Sequence, residues 1–197
     1  MKSLRKWIVG ATVFVLIVLL TIPGLFSSTA YPNCWNGAVS LRTLVSAQED
    51  FRSSDRDRNG IRDYWRRDVA GLYTFAPPNR EPLKLIELSV AQADRRPASP
   101  VPGGSGEHHC YWFETLRFRD EKTPDPTRFA FCAIPDGHLP NDWTLIVDHH
   151  GVVYGKRIQP YGPLEFYPVD PPGEGWITFE KIQRRRGYFW WLRFWDL

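Results

Sequence analysis

The apolar stretch Trp7–Phe26 constrains this chain more than any other part of the sequence. A run of about 20 residues without a charged side chain, wound as an α-helix, spans the roughly 30 Å hydrocarbon core of a bilayer. Three cationic residues precede the run, and the positive-inside rule places them in the cytoplasm: Lys2, Arg5 and Lys6. The sequence therefore predicts a single-pass anchor over residues 1–30 and a body that lies outside the cytoplasm.

A cleaved signal peptide is the alternative interpretation of the same stretch. The apolar core Ile8–Leu20 is short enough for one, and Ser28-Thr29-Ala30 is an acceptable small-x-small cleavage signal. Because the apolar run continues to Phe26, the sequence favours retention in the membrane. Cleavage would instead release a secreted or periplasmic protein.

Composition limits both the size of the body and the class of its partners. The chain has 197 residues, enough for one domain and an anchor, and its 17 prolines argue against a mostly helical body. Residues 1–30 supply the whole net charge of +3, because the remainder has 22 basic side chains (25 less the three cations) and 22 acidic ones. A neutral body gives no electrostatic case for nucleic acid, and we predict no such partner.

The stretch that follows the apolar run has the pattern of an amphipathic helix. Its apolar and amide side chains recur at i, i+3, i+4 and i+7, which places them on one helical face. These residues are Leu41, Leu44, Val45, Gln48 and Phe51. We therefore expect a helix that leads from the membrane into the body and buries this face against a core.

Residues 22–51 resemble the stem of the bacterial type IV pilin-like proteins called pseudopilins. In many of those proteins an apolar helix reaches an Ile-Pro-x-Leu and an Ala-Val-x-Ser-Leu-Arg-Thr segment follows. The matching residues are Ile22-Pro23-Gly24-Leu25, Ala38-Val39-Ser40-Leu41-Arg42-Thr43 and Ala47-Gln48. The chain departs from the family at Lys6, which stands about where pseudopilins carry a glutamate, and no Gly-Phe processing site precedes the apolar helix.

The resemblance implies a pilin-like α+β fold, in which an N-terminal transmembrane and stem helix packs on an antiparallel β-sheet. It also implies a structural subunit of the cell envelope, located in the bacterial inner membrane, with further copies or other pilin-like subunits as partners. The alternative function is a stand-alone binding domain, secreted or anchored, that calcium stabilises and that has no filament role.

Residues 31–182 are expected to form the body, and most of its second half has the pattern of strands. The strand candidates are Tyr111–Phe118, Arg128–Ile134, Trp143–Val147, Val152–Tyr154 and Trp176–Phe179, with a hairpin turn at Asp148–Gly151. Leu83–Ala93 is predicted as a second helix with Pro82 in its first turn. The order of these segments resembles a bacterial envelope family of unknown function, which implies no activity.

The loop after the stem helix has the alternating oxygen ligands of a calcium site. Ca²⁺ takes six to eight oxygen ligands from a flexible loop, often around a glycine turn. The predicted ligands are Asp55, Asp57, Asn59, the Ile61 carbonyl and Asp63, with Gly60 at the turn. The loop resembles the DxDxDGxxD loops of thrombospondin-type and dockerin-like repeats, although Arg66 stands where an EF-hand has its glutamate. The alternative is a solvated polar turn; a bound ion is expected to be weak and structural.

The three cysteines are Cys34, Cys110 and Cys132, and none of them lies in a CxxC motif. Cys110 and Cys132 lie on neighbouring strand candidates. A hairpin between these strands would bring the two within reach of a disulfide in an oxidising compartment. Two buried thiols are the alternative.

We find no catalytic constellation and predict that the chain is not an enzyme. The sequence contains no HExxH motif, no GxGxxG phosphate loop and no GxSxG nucleophile context. Two adjacent histidine pairs, at 108–109 and 149–150, are interpreted as surface or turn histidines. Neighbouring residues on a strand point to opposite faces, so neither pair is expected to chelate a metal without a turn.

The C-terminal segment 183–197 combines arginines with a dense group of aromatic residues. Such a basic aromatic tail suits a membrane–water interface. A last strand packed on the sheet is the alternative interpretation.

Overall fold

The computed structural model describes residues 30–120, 123, 125–137 and 143–184, with side chains from Trp35 onward. The predicted membrane span and nearly all of the aromatic tail lie outside these residues. Among the helices that are described, none has both the length and the apolar character needed to cross a bilayer.

Five strands form an antiparallel sheet, which together with the helices confirms the predicted α+β class. In spatial order they are β1 (Tyr111–Thr115), β3 (Ala130–Pro135), β4 (Thr144–Asp148), β5 (Tyr154–Lys156) and β7 (Ile177–Thr178). Two further strands, β2 (Arg117–Phe118) and β6 (Phe166–Tyr167), form a separate parallel pair. Each predicted strand segment overlaps an observed strand, and the predicted hairpin joins β4 to β5.

The sheet is covered on both faces, and every residue of its central strands β3 and β4 is therefore buried. Alternate residues of a strand point to opposite faces. Phe131 and Ala133 of β3 lie in the larger apolar core, and Cys132 and Ile134 lie in a smaller core on the other face. This two-sided burial explains why β3 reads as an unbroken apolar run.

The stem helix α1 (Ala30–Ser53) packs across β3 and β4. Its predicted face is confirmed, because Leu41 and Leu44 are fully buried and Phe51 is almost so. Gln48 is also fully buried, and its amide bonds the backbone of Trp65: Nε2 donates to the carbonyl at 2.5 Å and Oε1 accepts from the N–H at 2.9 Å. The helix thus holds the sheet with apolar side chains and the following segment with one amide.

Residues 54–110 connect α1 to the sheet and contain two short helices, α2 (Gly71–Thr74) and α3 (Leu88–Gln92). The prediction of one helix over Leu83–Ala93 is wrong in its first half. Lys84 has a φ of 50°, which interrupts a right-handed helix, and the neighbouring backbone pairs with residues 72–75 instead. The local apolar pattern did not reveal these longer-range hydrogen bonds.

A buried aspartate fastens this connection beside the sheet. Both oxygens of Asp94 accept backbone N–H groups: Oδ2 from Val69 and Ala70 at 2.7 Å each, and Oδ1 from Arg96 at 2.8 Å. The chain around it runs along the outer edge of β1. Phe113 donates its N–H to the Ala93 carbonyl at 2.8 Å and accepts an N–H from the following segment.

Candidate functional site

The predicted calcium loop begins where α1 ends, and its backbone curls through three left-handed residues. Asp55, Arg58 and Gly60 have φ values of 43°, 59° and 82°. The Gly60 N–H donates to Asp55 Oδ2 at 3.2 Å, which closes the turn. Glycine adopts this conformation at little cost, whereas the other two residues are held in it by the loop.

Asn59 lies among the carboxylates of this loop. Its Nδ2 donates to Asp57 Oδ2 at 2.8 Å and to Asp63 Oδ2 at 3.3 Å. Its Oδ1 accepts the Ile61 N–H at 2.6 Å, so the amide orientation is fixed by bonds on both sides. A polarised N–H₂ group therefore occupies the position between two aspartates that a cation would take.

Electrostatic repulsion remains within the loop. Burial raises the pKa of Asp57, and the nearby negative charges of Asp63 and Asp55 raise it further. One oxygen of Asp55 is buried without a hydrogen-bond partner among the described residues. These carboxylates would gain from a cation, and calcium binding by Asp55, Asp57, Asn59, Ile61 and Asp63 stays a prediction.

Two residues shortly after the loop have roles that do not involve a metal: Arg66, at the position of the EF-hand glutamate, and Asp68. Arg66 donates from Nη1 to the Asp125 carbonyl at 2.6 Å. Asp68 is buried and accepts three N–H groups at 2.6–3.0 Å, from the indole of Trp65, from Gly71 and from Ala98. Asp68 therefore organises the start of α2 and does not belong to the loop.

A second cluster lies at the turn between β4 and β5, where Asp148, His149 and His150 come together. One potential ligand atom from each of the three lies within 4.8 Å of the others. The turn explains this arrangement. Asp148 Oδ1 accepts the His150 N–H at 3.0 Å, and the Asp148 carbonyl accepts the N–H of Gly151, which has a φ of 74°. The two imidazole rings then lie 4.1 Å apart between centroids.

The cluster has a buried side and an exposed side. Asp148 is buried, His149 is half-buried and His150 is exposed. Burial lowers the pKa of His149, which favours its neutral imidazole, and its Nδ1 is buried with no hydrogen-bond partner in the described chain. Tyr167 also lines this region, and burial together with the nearby charge of Asp148 raises the pKa of its hydroxyl well above the usual range.

These residues line one wall of an open cleft of about 480 Å³. The opposite parts of the cleft include aromatic and charged side chains from β2, β6 and the loop after β2. Arg128 lies 3.8 Å from the ring centre of Phe118 and forms an ion pair with Asp120 at 2.9 Å. The cleft thus combines a potential metal-ligand cluster with a neutralised arginine and apolar walls.

Sequence reasoning missed this cluster because it applied strand alternation to residues that lie in a turn. The signal was present, since Asp148–Gly151 was predicted as a hairpin turn and a turn removes the objection to adjacent histidines. The other pair, His108 and His109, has the same 4.1 Å ring separation in a turn, but within the part of the chain that the structure describes no acidic residue completes a comparable group there.

The predicted disulfide between Cys110 and Cys132 is not formed. The strand register gives the reason. Cys132 lies opposite Glu114, whereas Cys110 precedes Tyr111, which lies opposite Pro135. Four residues of extended chain separate the two cysteines by roughly 13 Å, which is beyond the reach of a disulfide. Burial raises the pKa of Cys132 far above its usual range, so it packs as a small apolar residue.

Comparison with protein-family models, with curated proteins and with solved structures gave no significant match. The functional argument therefore depends on the geometry of this chain alone.

Proposed function

We propose that this protein is a membrane-anchored, pilin-like structural subunit of the bacterial envelope and not an enzyme. The observation that carries the proposal is the position of α1. This helix starts only a few residues after the apolar stretch and packs on strands β3 and β4 of an antiparallel sheet. One continuous helical stem would then hold the body against the outer face of the inner membrane.

The outer face of α1 supports a role in assembly. Trp35 and Val39 are 41% and 42% exposed, although both are large apolar residues on a helix whose other side is buried. An exposed apolar helical face next to the membrane suits contact with a second stem helix, because apolar side chains gain from leaving water.

A photo-crosslinking experiment tests the subunit role. A photoreactive phenylalanine analogue replaces Val39 in the full chain, expressed in its own host, and the matched control carries it at Val169, which is 77% exposed in the loop after β6. We expect crosslinked multimers from position 39 and none from position 169. A monomer at both positions would refute the subunit role.

A second experiment tests the anchor separately. Mass spectrometry of the native N-terminal peptide, on separated membrane and soluble fractions, should find residues near Met1 only in the membrane. A soluble protein that begins at Tyr31 would instead identify a signal peptide.

The second candidate function is a stand-alone anchored binding domain, and the cleft beside the β4–β5 turn favours it. A cleft of about 480 Å³ with aromatic and charged walls falls in the size range of small-ligand sites. This function predicts a monomer at position 39 together with membrane retention, so the same two experiments discriminate the candidates.

Calcium is the cofactor that we propose for the loop at 55–63. Its support is the mutual repulsion of Asp55, Asp57 and Asp63 around an amide N–H₂ donor. The ion would act structurally, by fixing the end of α1 against the connection.

A further inference from the structure

We propose that Asp148, His149 and His150 bind a zinc ion at the wall of the cleft. Two imidazoles and a carboxylate are ligand types that Zn²⁺ prefers, at bond lengths of about 2.0–2.2 Å. A tetrahedral ion with such bonds holds its ligands about 3.3 Å apart. The present separations of up to 4.8 Å therefore need only a small closing movement, which the exposed His150 side chain can make.

The aspartate is positioned before any ion arrives. Asp148 is 8% exposed, and its Oδ1 is fixed by the His150 N–H at 3.0 Å. Tyr167 lines the same cleft beside this carboxylate. Hydrogen-bonded carboxylates of this kind are typical of built metal sites, because the outer partners orient the ligand and reduce the entropy lost on binding.

The half-buried histidine supplies an independent reason. His149 Nδ1 is buried and accepts or donates no hydrogen bond among the described residues. A buried polar atom without a partner costs free energy. Either ring nitrogen of a neutral histidine can bind a metal, so rotation of the ring and coordination would remove this cost. The main chain of His149 is fixed, since its N–H donates to the Phe129 carbonyl at 3.1 Å.

Nearby positive charge does not exclude a cation. Arg128 is paired with Asp120 at 2.9 Å and stacked on Phe118, so its charge is compensated. Three protein ligands leave a fourth position that opens to the cleft, where water or a small anion would complete the coordination.

The test is a zinc titration of the full-length chain, purified in detergent without a polyhistidine tag and competed against a zinc-sensitive dye. We expect one ion per chain. We also expect His150→Ala to weaken binding at least about tenfold, as the loss of one ligand should. Because His150 is exposed, this variant should keep the fold, which far-UV circular dichroism and thermal unfolding would check.

The matched control is His109→Ala. His109 is also exposed, belongs to an adjacent pair with the same ring separation, and has no aspartate at hand to form a comparable group in the described chain. It should leave the affinity unchanged. Replacement of zinc by Co²⁺ gives a second readout, since a four-coordinate Co²⁺ site absorbs strongly in the visible range and a six-coordinate one does not.

Three results would overturn the proposal: no zinc bound to the wild-type chain at micromolar free metal, equal weakening by the two variants, or a six-coordinate cobalt spectrum. Asp148→Asn gives the remaining check, because it keeps the size of the side chain and removes its charge. Unchanged affinity in this variant would exclude the aspartate as a ligand.

Discussion

Two groups of aspartates in this molecule have opposite surroundings. Asp68 and Asp94 are buried, and both oxygens of each accept backbone or indole N–H groups. The three loop aspartates at 55, 57 and 63 are only partly buried, and two of them, Asp57 and Asp63, share the donors of one amide. Burial raises the pKa of Asp57, and the nearby charges of Asp63 and Asp55 raise it further. The comparison teaches that carboxylates clustered in sequence repel one another and have too few hydrogen-bond donors. Carboxylates that are isolated in sequence can instead be fully hydrogen-bonded and hold the fold together.

The largest loss of stability should follow the replacement of Asp94, whose carboxylate accepts three backbone N–H groups. Asp94→Ala leaves the N–H groups of Val69, Ala70 and Arg96 without their acceptor. Because each buried unsatisfied donor costs about 1–3 kcal/mol, we expect a loss of about 3 kcal/mol or more in the free energy of unfolding. Denaturant titration of the full chain in detergent measures it, with the exposed Asp120 changed to alanine as control. A loss below about 1 kcal/mol would mean that the buried aspartates stabilise the fold no more than an ordinary surface residue does.

Gln48 is an uncharged side chain that, like Asp68 and Asp94, is buried and bonded to the backbone. Gln48→Leu keeps an apolar volume on α1 but leaves both the N–H and the carbonyl of Trp65 unpaired. We expect a loss of about 2 kcal/mol, since added apolar burial offsets part of the cost. The exposed Thr43→Ala on the same helix serves as control, and equal effects of the two changes would contradict this account.

Glu114 is a buried carboxylate of intermediate kind, because Arg95 and Arg96 approach it at 3.4 and 3.7 Å. Burial raises its pKa above the ordinary value of 4.5, and the two arginines counter this only in part. The folded state therefore holds the proton more tightly than the unfolded state. Its contribution to stability is present below about pH 4.5 and is lost as pH rises through the folded pKa.

The corresponding measurement is the unfolding free energy of wild type and Glu114→Gln across this pH range. The difference between the two profiles should decline with rising pH from about 4.5 and then level off. A flat difference would mean that Glu114 has the same pKa in both states. Comparing the two proteins cancels the contributions of other titrating groups.

The smallest change in stability is expected for a substitution in the loop at 55–63, and its sign should depend on whether calcium is present. Without calcium, Asp57→Asn relieves repulsion from Asp63 and Asp55 and should raise stability by less than about 0.5 kcal/mol. In millimolar Ca²⁺ the wild type should gain stability that the variant does not. Thermal unfolding with calcium and with a chelator measures both effects. If calcium does not change the unfolding temperature of the wild type, the loop does not bind the ion.

Local patterns predicted the elements of this fold well. The apolar face of α1 and the five strand segments are short-range signals, and burial at Leu41, Leu44 and Phe51 follows from them. The contacts that define the sites are long-range. No spacing rule links Asp68 to Ala98, 30 residues away, or Tyr167 to Asp148, because such pairs come together only in the folded chain. The disulfide prediction failed for the same reason, since strand neighbours were predicted correctly and their register was not.

The edges of the sheet have a consequence for the membrane-anchored subunit that we propose. Confinement to a surface raises the local concentration of a protein, and open strand edges then invite chains to join through backbone hydrogen bonds. Here the segment 93–95 already occupies the outer edge of β1 through Phe113, and the opposite edge strand β7 is only two residues long. The described sheet therefore offers few open backbone groups for strand exchange. In the membrane-anchored subunit proposed above, neighbouring copies would have to recognise each other through side chains.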